Sequence, residues 1–212
     1  MIVIPFLLTI IKIRAVITKG ERMVKKLLVL SFMVLLATGG FARADEKPIQ
    51  LSLFNPVQLI PEQDSVQYFR WNFIYGVNQD VRGLDLGLVN KTNGVQRGLE
   101  WGFINYNEQD FHGVQTGFVN IDEAGKSIGL QTGFIDYVNG DISGLQWGTV
   151  NITNGVYRGV QAGFLNYAHE MHGLQLGFVN VADTIDGLQI GLANVNQSKD
   201  PFWILPFVNG KF

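Results

Sequence analysis

Gly173-Leu174-Gln175-Leu176-Gly177-Phe178-Val179-Asn180 is the phrase on which the chain is built. Near-copies open at Gly83, Gly98, Gly113, Gly129, Gly144, Gly159 and Gly187, spaced 14 to 16 residues apart. Three degenerate copies extend the series: Pro48 to Asn55, Tyr68 to Tyr75, and the segment from Phe202 that ends in Leu205-Pro206-Phe207-Val208-Asn209. That makes eleven copies. Position one of a copy is its first glycine or the residue that replaces it.

Each copy alternates. Positions two, four and six are mostly apolar, as in Leu99, Trp101 and Phe103, while one, three and five read Gly, Gln, Gly in most copies. A period of two over seven or eight residues is a strand signal. A helix is excluded, because a glycine every four residues would cost about 1 kcal/mol per turn relative to alanine. Position seven is apolar throughout, and position eight is Asn except at Tyr75 and Asp136. A polar linker follows, and an apolar residue returns before the next glycine: Val81, Phe111, Ile142, Met171, Ile185. Each repeat is therefore one strand and one turn, and the fold class is all-β.

Two architectures hold such a repeat. In a β-solenoid every repeat is a rung and like stacks on like. In an up-and-down antiparallel sheet, or an outer-membrane barrel of about ten strands, alternate repeats run in opposite directions. The single period favours the solenoid: linker length does not alternate, and Trp71, Trp101 and Trp147 occur in copies of both parities. A fixed Asn also suits a stacked amide ladder that ties down a turn. The barrel draws on the terminal Phe212 and on the apolar Phe202-Trp203-Ile204-Leu205-Pro206-Phe207, which reads either as a plug over the last rung or as a closing strand.

The N-terminal part reads as a leader. Met23-Val24-Lys25-Lys26, the apolar run Leu27 to Leu36 and Ala42-Arg43-Ala44 have the order of a secretory signal peptide, too short in its apolar part to span a bilayer. Residues 1–22 then precede a complete signal and read as an extension from a mis-assigned start, which leaves 45–212 as one all-β repeat domain. That domain holds nine Lys/Arg and seventeen Asp/Glu, a net charge of −8, which speaks against nucleic acid as a partner. The chain has no cysteine, so packing and backbone pairing must hold it.

Chemistry-bearing clusters are sparse. His169-Glu170-Met171-His172 has short spacing and no third metal ligand in view, and the pairs Asp122/Glu123 and Asp183/Asp186 are weak calcium candidates on turns. No catalytic, cofactor-binding or metal residue is assigned, and the chain is read as a non-enzyme. The tryptophans at position four are expected in a core, because they lie on the apolar parity. The glutamines at position three carry two readings. Gln115, Gln131, Gln146, Gln161, Gln175 and Gln189 form either a structural amide ladder or a flat interaction face for a partner sheet or a glycan.

The phrase, repeated at this spacing behind a signal peptide, resembles a family of bacterial surface-repeat proteins best known from leptospiral genomes. The ends carry the likeness too, in Gln50-Leu51-Ser52-Leu53-Phe54-Asn55-Pro56-Val57-Gln58 and in Leu205-Pro206-Phe207-Val208-Asn209. The resemblance implies export to the cell surface, outer membrane or periplasm of a Gram-negative-type bacterium. The expected role is structural, adhesive or interactive toward a host, glycan or envelope partner. The competing expectation is an integral outer-membrane barrel forming a small pore.

Overall fold

The computed structural model describes residues 46–211. The leader read at 1–22 and 23–44 lies outside the described residues, as does Phe212. Strands β1 (Glu46–Phe54), β3 (Ser65–Asn78), β4 (Val81–Thr92), β5 (Gln96–Asn107), β6 (Phe111–Thr116), β7 (Val119–Asp122), β8 (Lys126–Val138) and β9 (Asp141–Asn196) stack in sequence order. β9 runs without a break through copies seven to ten. Every contact between these successive strands is parallel, and the register is that of the repeat: Gly83 lies on Gly98, Gly98 on Gly113, Gly129 on Gly144, Gln131 on Gln146. The chain is a parallel β-solenoid. The antiparallel sheet and the barrel fall with that observation, since both need neighbouring repeats to run in opposite directions.

Each coil is two strand segments folded face to face. The bend falls at positions six and seven, where two consecutive residues point outward and the alternation breaks. The proof is that positions five and eight meet inside: Asn105 Oδ1 lies 2.6 Å from where a Cβ on Gly102 would be, and Asn120 Oδ1 2.8 Å from that of Gly117. Glycine at five is what lets the Asn at eight fill the space. Position one is glycine for a different reason. Gly144 has φ 142°, and a Cβ there would collide with the carbonyl oxygen of Gly129 on the coil before it. Positive φ and direct stacking on the neighbouring backbone together exclude side chains.

The two ends depart from the repeat. In copy two the register shifts between Asn72 and Tyr75, which puts Gly76 opposite Asn90 and Asn72 opposite Gly87. Glycine and amide have exchanged places, and the amide still reaches its ladder: Asn72 Nδ2 donates to Asn90 Oδ1 at 2.8 Å. The eleventh copy is not a rung. β10 (Ile204–Lys211) reverses and pairs antiparallel with the last coil, Val208 opposite Ile190 and Asn209 opposite Gln189. It covers an edge whose backbone groups would otherwise lack partners. At the other end β2 (Val57–Gln58) folds back on β1, also antiparallel.

Candidate functional site

The solenoid is polar inside and apolar outside, the reverse of the expectation for its tryptophans. Trp101 is 58% exposed and Trp147 66%, with Trp71 exposed as well. Inward stand the glycine–glutamine parity, the Asn at position eight, position ten, and the residue two before each glycine, apolar except at Gln96 and Ser127. The last of these supplies most of the hydrocarbon of the interior. Val138, Ile142, Tyr157, Ala168, Met171, Ala182 and Ile185 form one buried cluster.

The six glutamines offered as an interaction face are buried. Gln131, Gln146, Gln161, Gln175 and Gln189 each donate Nε2 to the Oε1 of the glutamine one coil earlier, all at 2.8 Å. The face is corrected to the alternative reading, a structural amide ladder. The physical reason is that a primary amide carries both donor and acceptor. A column of them at coil spacing can saturate itself away from water, which leaves the side chains of the opposite parity facing outward.

The asparagines build a second ladder with the opposite polarity. Asn90 donates to Asn105, Asn105 to Asn120, Asn151 to Asn166, Asn166 to Asn180 and Asn180 to Asn194, over 2.7 to 2.9 Å. The same Nδ2 groups also bond backbone carbonyls of the next coil, as Asn105 does to Thr116. Each amide therefore fastens one bend to the next.

Toward the N-terminal end the interior becomes ionic. The column that reads Gln from 115 onward reads Arg70, Asp85, Glu100 in the coils before it. Arg70 is fully buried and grips Asp85 with two nitrogens, Nε to Oδ1 at 2.8 Å and Nη2 to Oδ2. It also donates to the Lys91 carbonyl at 2.7 Å and to Thr92 Oγ1 at 3.1 Å. Glu100 accepts from Asn107 and Gln115, both at 3.0 Å. Burial, reinforced by the Asp85 carboxylate, holds its carboxyl above the usual range. Asp122 is not a calcium ligand on a turn. It is buried, bonded by Ser127 (2.6 Å) and Gln131 (2.7 Å), and pushed up to about 6 by desolvation.

Asp136 interrupts the asparagine ladder. Its Oδ1 accepts from Asn120 at 2.6 Å. Its Oδ2 and Asn151 Oδ1 converge over Gly148, in the space where Asn90 Nδ2 and Asn105 Oδ1 meet over Gly102. Two acceptors thus face each other where every intact rung has a donor and an acceptor, and neither has a partner. Desolvation raises this carboxyl to about 7, so that below that pH its protonated form would supply the donor that the rung lacks.

The other candidate residues occupy solvent-facing rows. His169 Nδ1 lies 2.8 Å from Asp183 Oδ2, and His172 Nε2 2.7 Å from Glu170 Oε1 with Nδ1 3.5 Å from Asp186. Asp183 is therefore taken up by His169, with Tyr167 donating to it at 3.0 Å. Among the described residues no three His, Cys, Asp or Glu side chains come together as a metal site.

The surface that stands out is apolar. Phe103, Phe118 and Phe134 stack in one column with centroids 5.0 Å apart and planes within 2°, and Phe164 stacks on Phe178 at 4.8 Å. An open groove of about 760 Å³ runs among Trp71, Phe73, Leu88, Trp101, Phe103 and Phe118. Single exposed apolar residues need no explanation; contiguous ones mark contact sites. The sequence held one signal for this inversion. The apolar residue before each glycine shares the parity of Gly and Gln, so that face already had the means to form a core. No family model, curated protein or solved structure matches the chain.

Proposed function

We propose that the chain is an exported, non-enzymatic repeat protein of a Gram-negative-type envelope, with a structural and contact role carried by its outer surface. The observation behind this reading is the exposed apolar band, in register from coil to coil, on a fold whose interior is filled largely by amides and a few buried charges. Its strand segments present hydrocarbon in register from coil to coil, which is the property of a contact surface and has no use in a substrate pocket. The titratable groups with raised carboxyls, Glu100, Asp122 and Asp136, are sealed inside the coils, where no substrate reaches them. The leader read at 23–44 and the resemblance to bacterial surface-repeat proteins support the address.

The test is cell fractionation with N-terminal sequencing and protease shaving of intact cells. The expected result is recovery in the envelope fraction, starting near Asp45. Recovery of a chain with its leader intact in the cytosol overturns the reading.

A further inference from the structure

We infer that the bend of each coil forms an apolar ridge that seats in one leaflet of a lipid membrane, with the solenoid axis lying along the surface. This rests on the contact role proposed above and names its partner. In copies three to ten, positions two, four, six and seven carry no charged residue, and Thr116, Thr132 and Thr149 are their only hydroxyls. These positions do not form one flat face. Two and four lie on one segment, six and seven on the bend, and the half-buried position nine on the other segment.

The apolar surface therefore wraps the bend, with the stacked phenylalanines at its turn and, in copies two to five, an open groove between the position-four and position-six side chains. A rigid second copy could cover one flank of a ridge. A fluid of hydrocarbon chains covers both.

The borders point the same way. Along one flank, directly before the glycines, run Arg82, Arg97 and Arg158, with His112, Ile128, Ser143, His172 and Asp186 completing the row and Arg82 paired with Glu46 at 3.1 Å. Along the other, at position nine, stand Lys91, Tyr106, Tyr137 and Tyr167. Cations and tyrosines beside an apolar band are the groups that favour the headgroup layer. The acidic residues Glu108, Glu123 and Asp183 lie two positions further out, beyond the tyrosines, and Asp80, Asp110 and Asp141 lie on the far side of the basic row.

Lipid also demands that buried backbone be paired. At the apex it is: the Phe118 N–H bonds the Phe103 carbonyl at 2.9 Å and the Phe134 N–H bonds the Phe118 carbonyl at 3.0 Å. The solenoid directs its backbone bonds along its own axis, so the ridge offers lipid side chains alone.

The test uses the full chain with Trp203→Phe, which leaves Trp71, Trp101 and Trp147 as reporters, all at position four. It is mixed with vesicles of phosphatidylcholine, with and without about a third phosphatidylglycerol, containing lipids spin-labelled near the headgroup or deeper in the chain. The expected result is a blue shift and quenching by the chain label, with tighter binding to the anionic vesicles. The triple variant Phe103→Ser, Phe118→Ser, Phe134→Ser alters only exposed side chains, and its circular dichroism should match the parent. Its partitioning should fall roughly a hundredfold, from the hydrocarbon area removed.

Three results overturn the inference. Vesicles that bind parent and triple variant equally, with unquenched tryptophans, place attachment in residues 1–44. Tryptophans already shielded in a dimer that vesicles leave intact make the occupant a second copy. Unshifted tryptophans in a monomer that does not bind exclude lipid. Any of these with the protein still in the envelope fraction leaves the proposed function standing and removes the lipid, whereas cytosolic recovery removes that function whatever the vesicles show.

Discussion

The coils from Arg70 to Asp122 and those from Gln131 to Asn196 share parallel stacking and, from Gly83 onward, the same register and glycine columns, yet they fill their interiors by different means. The first set packs ions: Arg70 with Asp85, then Glu100 and Asp122. The second packs neutral amides beside a hydrocarbon cluster of Ile142, Tyr157, Met171 and Ile185. The difference shows in what is left over. Asn72 Oδ1, Asn93 Oδ1, Gln96 Nε2, Glu100 Oε1, Asn107 Oδ1 and His112 Nε2 lack partners across the first set, while in the second the unpartnered atoms fall only at the Asp136–Asn151 rung and in the last coil, at Gln189 Oε1 and Asn196 Nδ2. A column of identical amides satisfies itself by translation. A column of unlike charges must solve each layer separately. The backbone of a solenoid is thus indifferent to what it encloses, provided each layer can be desolvated.

The largest expected effect comes from breaking the ionic end. Arg70→Met should cost about 3–5 kcal/mol in denaturant unfolding, because it leaves Asp85 charged, buried and unpaired. The double variant Arg70→Met, Asp85→Leu should recover most of the loss, since the penalty belongs to the orphaned charge and not to the absence of a salt bridge.

Next in size is Asp136, the junction between the two interiors. Its carboxyl is raised to about 7 in the folded chain against about 4 in an unfolded one. Folding therefore takes up a proton. The stability this provides is complete below about pH 4 and is lost as pH rises through 7. Asp122, raised to about 6, adds a slope of the same sign. Asp136→Asn supplies an amide donor toward Asn151 and needs no proton. It should raise stability at pH 8 by about 2–4 kcal/mol and change it little at pH 4, read from unfolding midpoints across that range. Equal effects at both pH values would mean that the ladder gap has nothing to do with protonation.

A smaller loss is expected within the amide coils. Gln161→Met removes the link between Gln146 and Gln175, leaves Gln146 Oε1 with Thr153 alone and Gln175 Nε2 with the Val181 carbonyl alone, and should cost roughly 1–3 kcal/mol. A cost equal to that of Arg70→Met would erase the distinction between the two regions.

Much of the architecture is legible in the residues. The single period and the fixed Asn give parallel stacking, and the ladder they imply is the one that forms between Asn105 and Asn120. The orientation of the coil is harder to read. Leu, Trp and Phe at positions two, four and six look like a core by composition, and the glutamines read equally as a ladder or as an exposed face. The structure turns the apolar parity outward, because the amide columns saturate themselves inside and glycine at five leaves room for the asparagine at eight. Val81, Phe111 and Ile142 lie on the glutamine parity, and that is where the sequence records which face closes. The exchange of Asn72 and Gly76 is not legible, because it rests on a register shift between Asn72 and Tyr75 that the spacing of the copies does not reveal. The buried state of Asp122 was missed for the opposite reason: an acidic residue in a polar linker reads as solvent-facing until its partners Ser127 and Gln131 are brought onto it from the next coil.

The central claim is the direction of the two parities, and the lack of cysteine in the chain makes it directly measurable. Single cysteines at Ala168→Cys and Ala182→Cys would stand on the buried row, and at Phe164→Cys and Phe178→Cys on the exposed one, within the same coils. Maleimide labelling of the folded full chain in aqueous buffer should modify positions 164 and 178 at the rate of a free thiol. Positions 168 and 182 should react at least a hundredfold more slowly, on the order of the protection expected for groups reached only by opening of the structure. Rapid labelling at 168 and 182 with protection at 164 and 178 would contradict the account, because it would put the phenylalanines in the core and the ladders on the surface.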